Sequence, residues 1–225
     1  MVQTVFDIIL EKAADQHGLV TTDNARDLGL DPAQLRLLAA RGKLERTGRG
    51  VYRVLALPID DLLPYAEAVA WAHGAAAISH ESALAMRGLG DFNPTRVDLT
   101  IEPQYFPRRP VPRTLRLWRD PLPADDIEVN EGIPVAKVYR ALCQVMAAGS
   151  DPYQTRRAIS DAYRLGHIST KEAGRLRHAL DRSASGRDQR SIPASGANEV
   201  GQGQAHRIWW TRGYRCRWSM ARSRR

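Results

Sequence analysis

The stretch from Leu19 to Leu55 constrains the fold more than any other part of the chain. Thr21 or Thr22 can cap a short helix from Asp23 to Leu28, and Gly29 supplies the left-handed residue that ends it. Asp31-Pro32-Ala33-Gln34 then opens a second helix. Asp31 is the cap, proline suits the first helical position, and Gln34 stands three residues after the cap. Leu35, Leu38 and Ala39 make its inward stripe, and Gly42 ends it. Leu44–Thr47 and Val51–Leu55 follow as strands, joined by Gly48-Arg49-Gly50, whose glycines permit a tight hairpin tip. Ahead of them, Val2, Phe6, Ile9, Leu10 and Ala13 recur at helical spacing, and His17-Gly18 stops that helix. Helices followed by a hairpin in this order predict a winged helix-turn-helix.

Charge supplies the first functional reading. The chain has 33 Lys+Arg and 25 Asp+Glu, a net of +8. Residues 182–225 alone hold ten arginines against Asp188 and Glu199, so the whole excess lies in that tail and residues 1–181 are neutral overall. The sum is therefore no argument that the body binds nucleic acid. Local distribution is. Arg36, Arg41, Lys43, Arg46, Arg49 and Arg53 stand against Glu45 alone over residues 36–53, whereas residues 1–35 hold six acids and two bases. One basic face and one acidic face suit docking on DNA. Gln34 and Arg36 are candidates for base contacts; Thr21, Thr22, Arg46 and Arg49 suit phosphates or the minor groove; Arg41, Lys43 and Arg53 complete the basic footprint. The competing reading is a winged helix that binds protein, its arginines merely solvated.

The pattern divides the chain into a winged helix-turn-helix at 1–57, a mixed α/β domain at 58–181 and an Arg-rich irregular tail at 182–225, an α+β protein as a whole. Pro58 and Pro64 flank an Asp pair in the linker. Beyond it, helices are expected at 62–73, after Ser79, at 138–147, at 152–165 and from Ser169 to about Arg182, the last two forming a helical hairpin around Gly166-His167. Ser79 is expected to cap its helix. Arg96–Ile101 alternates as a half-buried strand with Val97, Leu99 and Ile101 inward; Thr114–Arg119 alternates likewise, and Ile127–Val135 supplies one or two more. Arg108, Arg109, Arg113, Arg116 and Arg119 cluster on a loop and strand; they read as a solvated edge, with a second contact surface as the alternative.

Catalysis is not expected. The chain lacks a Walker loop and the G-x-S-x-G and H-E-x-x-H motifs. His80-Glu81 are neighbours on a helix and point about 100° apart. Asp98 and Glu102 resemble part of a metal-dependent nuclease without its lysine, which leaves a nuclease as the remote alternative. Cys143 and Cys216 are too few for a disulfide scaffold or a zinc site. No cofactor or metal is expected, no apolar run suits a membrane span, and the reading is a cytoplasmic protein.

Two phrases carry a family resemblance. Leu19-Val20-Thr21-Thr22, Leu35, Arg41-Gly42-Lys43-Leu44-Glu45-Arg46 and Arg49-Gly50-Val51-Tyr52-Arg53 resemble the winged helix of the AbiEi antitoxins of bacterial toxin–antitoxin operons. Ala77-Ile78-Ser79-His80-Glu81-Ser82-Ala83-Leu84, then Val97-Asp98-Leu99-Thr100 and Gly132-Ile133-Pro134-Val135, resemble the second domain of that family. The resemblance implies that the first domain binds operator DNA and represses its own operon. It further implies that the second neutralises a nucleotidyltransferase-like toxin. An inverted-repeat operator would take two copies.

Overall fold

The computed structural model describes residues 3–105, 107 and 110–188. Arg108, Arg109, Cys216 and the Arg-rich tail beyond Asp188 lie outside the described residues. Met1–Ser183 form one compact unit, with an α+β architecture built on two sheets.

The N-terminal part runs α1 (Val5–Ala14), β1 (Leu19–Thr21), α2 (Thr22–Asp27), α3 (Ala33–Ala40), β2 (Leu44–Gly48) and β3 (Val51–Val54). Thr4 caps α1 and Asp7 returns the bond to the Thr4 amide, a complete capping box. Thr21 does the same for α2 with Asn24. The expected box at Asp31 is not formed. Asp31 accepts the Ala33 amide at 2.8 Å, and α3 begins after Pro32 with no side-chain cap. The hairpin falls where its glycines require, with a bulge between Arg46 and Gly48. β1 was not foreseen. It adds antiparallel to β3 and gives the order β1-β3-β2. Ile9, Ala13, Val20, Ala25, Leu35, Leu38, Leu44, Tyr52 and Val54 pack beneath as one core.

The second part runs α4 (Leu63–Trp71), β4 (Ala76–Ile78), α5 (His80–Ala85), β5 (Val97–Ile101), β6 (Leu115–Arg119), β7 (Ile127–Asn130), β8 (Ile133–Ala136), α6 (Val138–Ala148), α7 (Pro152–Arg164) and α8 (Thr170–Asp188). Its sheet has the order β6-β5-β4-β8-β7, with β5–β6 and β4–β8 parallel. β4 is the second unforeseen strand. The α7–α8 hairpin forms as expected, and Ser169 and Glu172 exchange capping bonds at its turn. The expectation of a half-buried β5 is corrected. Asp98 and Thr100 are as buried as Leu99 and Ile101, because Ser82 of α5 and Gln144 of α6 cover the polar face.

Helix α4 belongs to both parts. Its Ala68 and Trp71 lie in the large core with Ile78, Leu99 and Leu142. Its Leu63, with Ala66 and Ala70, packs on Leu19 of β1 and Val51 of β3. Glu67 of α4 lies near Thr47 and Arg53. Burial pushes its carboxyl above the ordinary 4.5, against those two partners.

A histidine bridges the same junction. His17 meets Asp60 Oδ2 through Nδ1 and the Glu131 carbonyl through Nε2, both at 2.7 Å. Both partners are acceptors, and a neutral imidazole has one N–H to give; only the imidazolium serves both. Burial opposes that charge, but the bonds to Asp60 and Glu131 outweigh it and raise the His17 pKa above the ordinary 6.5. A raised folded-state pKa means this stabilisation is complete below 6.5 and is lost as pH climbs through the folded value. The urea midpoint should therefore fall between about pH 6 and about pH 8. In His17→Asn, whose side chain tolerates the left-handed φ of 54° at this position, the fall should largely disappear. Parallel pH profiles for the two proteins would refute the assignment.

Candidate nucleic-acid interface

The inward stripe of α3 is Leu35 and Leu38, both buried, with Ala39 partly covered. At 100° per residue this aims Arg36, Leu37, Ala40 and Arg41 away from the core, and all four are exposed. Arg36 and Arg41 form no ion pair among the described residues, nor does Arg49 at the exposed hairpin tip. These three are cations available to an anionic partner.

The other expected residues divide. Arg46 is exposed, and its Nε donates to the Gly48 carbonyl at 3.2 Å, which holds the side chain along the bulge. Lys43 is exposed and rests its ammonium over the Phe6 ring of α1, 5.4 Å from the centroid. Gln34 is half-buried in the first turn of α3. Thr21 spends its hydroxyl on Asn24. Thr22 donates its amide to the Gly50 carbonyl at 2.8 Å and so ties α2 to the wing. Arg53 is half-buried and donates twice to Glu45, at 2.8 and 3.1 Å, with Glu67 nearby. Its charge is neutralised within the fold, and it stands apart from the exposed arginines. The signal was present: a hairpin tip at Arg49-Gly50 places Glu45 opposite Arg53. Leu37 is a further outward residue of α3, at a position the same helical spacing predicts.

A second cluster occupies the other sheet. Asp98 is fully buried and accepts Arg116 Nε at 2.5 Å, Arg116 Nη2 at 3.1 Å and Trp118 Nε1 at 2.9 Å. Ser82 returns its Oγ to the Asp98 amide at 2.8 Å. His80 stacks on Trp118, with ring centroids 4.0 Å apart and 14° between planes. Ser79 does not cap α5 as expected; its hydroxyl meets His80 Nδ1 at 3.0 Å, and His80 has a left-handed φ of 50°. Arg116 is thus an anchored residue rather than a solvated one. Its guanidinium lies 5.2 Å from the Trp118 ring centroid. An open cavity of about 150 Å³ lies over these groups, bordered by Glu81, Arg116, Trp118 and Ser150. The carboxylate oxygens of Asp98 are taken up by donors, and no group of three metal-ligating side chains occurs among the described residues. Nor is any helix among them long and apolar enough to cross a membrane.

Comparison with known proteins bears on the first cluster. Residues 7–55 match the family described as transcriptional regulator, AbiEi antitoxin. The match spans α1 to the end of the wing and stops there, leaving the resemblance at residues 77–84, 97–100 and 132–135 outside it. No curated protein matches. The crystal structure of the RV2827C protein from Mycobacterium tuberculosis is similar with a TM-score of 0.47 and 18% identity, over 79% of this chain and 73% of that one. At that TM-score and identity the likeness carries no argument. The family match does carry one, and it falls on the segment that bears the exposed arginines. The segment at residues 7–55 is similar to the regulator family described as AbiEi antitoxin.

Proposed function

We propose that this chain is the antitoxin of a toxin–antitoxin pair that represses its own operon by placing α3 in the major groove of operator DNA and the Arg49 hairpin against the neighbouring backbone. The observation that carries the reading is the set of three exposed arginines whose side chains make neither an ion pair nor a hydrogen bond among the described residues, Arg36, Arg41 and Arg49, within the matched segment. Two copies would occupy an inverted-repeat operator. The second domain, residues 58–181, neutralises a nucleotidyltransferase-like toxin. The protein works in the cytoplasm as a binding protein, without catalysis, metal or cofactor.

The test is a gel-shift and salt titration with the intergenic DNA upstream of its own reading frame. Arg36→Ala and Arg49→Ala should each weaken binding by roughly 1–3 kcal/mol. Where the lost contact is to phosphate, the log–log salt slope should become shallower by about 1. Arg53→Ala, which loses an internal pair, should leave the slope unchanged. Unaltered affinity and slope in both of the first two variants would defeat the assignment.

A further inference from the structure

Helix α3 presents more than charge. Leu37 is 56% exposed at the middle of its outward face. Ala33 and Ala40 lie four residues before it and three after, on the same line along the helix. Arg36 and Arg41 stand on either side of that line. A lone exposed leucine usually needs no explanation. This one is the largest apolar group on a helix face flanked by unpaired cations, in the segment matched to transcriptional-regulator antitoxins. In the major groove the distinctive apolar feature of a base pair is the thymine C5-methyl. An exposed aliphatic side chain is suited to pack on that methyl.

We infer that Leu37 is a specificity-determining residue that packs on thymine methyl groups, and that the preferred site is a thymine-bearing step flanked by the phosphates or guanines taken by Arg36 and Arg41. The inference rests on the DNA-binding reading above and adds to it the identity of the base. Ala33 and Ala40 leave room for the groove floor to approach, so the contact falls mainly on Leu37. Burying one methyl in such a contact corresponds to about a threefold to fivefold change in affinity.

The experiment uses the full chain and a duplex enriched from a random pool by that chain. Individual thymines are then replaced by deoxyuridine, which removes only the methyl. Expected is about a threefold to fivefold loss at one or two positions per half-site relative to the unsubstituted duplex, with no loss at the remaining thymines. Leu37→Ala should bind the thymine duplex more weakly and be indifferent to the same uracil substitutions. Full tolerance of uracil by the wild-type chain at every position would overturn the inference and leave the DNA-binding reading standing. So would a Leu37→Ala protein that keeps the whole uracil penalty. Failure to enrich any duplex would overturn both.

Discussion

Arg116→Met should destabilise the folded chain by about 3–5 kcal/mol, and adding Asp98→Asn should restore most of that loss. The asymmetry of the pair is the reason. Asp98 is fully buried, whereas the Arg116 side chain is 44% exposed. Removing the arginine leaves a carboxylate sealed under α5 with only neutral donors, the Trp118 indole and the Ser82 hydroxyl. Removing the carboxylate leaves an arginine that can turn into water. Asp98→Asn alone should therefore cost less than Arg116→Met alone. Urea denaturation followed by circular dichroism would read all three variants, and equal losses from the two single changes would contradict the burial argument. His80 adds a local readout. If Trp118 is loosened, its stack on His80 should open, and the near-ultraviolet dichroism should change before the far-ultraviolet signal does.

Gly50→Ala is the second large effect. Gly50 has φ of +75°, where a side chain costs roughly 1–3 kcal/mol. A Cβ at this position would also stand 2.8 Å from the Thr22 hydroxyl, closer than real contacts allow. The neighbour cannot retreat easily, because the Thr22 amide is bonded to the Gly50 carbonyl. Combined with Thr22→Ala, which removes the hydroxyl, the penalty should shrink toward the backbone term alone. Additive losses in that double variant would show that the crowding is relieved some other way. The same geometry ties the wing to the start of α2, so on the proposed DNA-binding reading the substitution should lower DNA affinity further than the loss of folded protein explains.

Much of this was legible in the chain. The hairpin came out within a residue because two glycines and a change of hydrophobic period mark it. The α7–α8 turn was legible from Ser169 and Glu172, whose spacing is that of a capping box. β1 and β4 were not, since three residues are too few to display a period of two. Asp98 misled for another reason. Alternation correctly put it on the opposite face from Leu99, but a second layer of helix covers that face. Its partners Ser82, Arg116 and Trp118 come from 16 to 20 residues away along the chain. Of the candidate site, Arg36, Arg41 and Arg49 were readable as exposed cations from helix phase and hairpin tip. Thr21 and Arg53 were not excluded, because their use depends on internal partners that composition does not reveal.

Helix α4 sets a rule for anyone who would take the molecule apart. Because Leu63 closes a small core with Leu19 and Val51 while Trp71 closes the large one, a cut near residue 57 leaves a greasy scar on each half. The isolated wing should be prone to self-association, and a fragment that keeps α4 should stay soluble where a shorter one precipitates. By the same token, a partner that shifts α4 from the side of the large sheet would be felt at the strands of the wing.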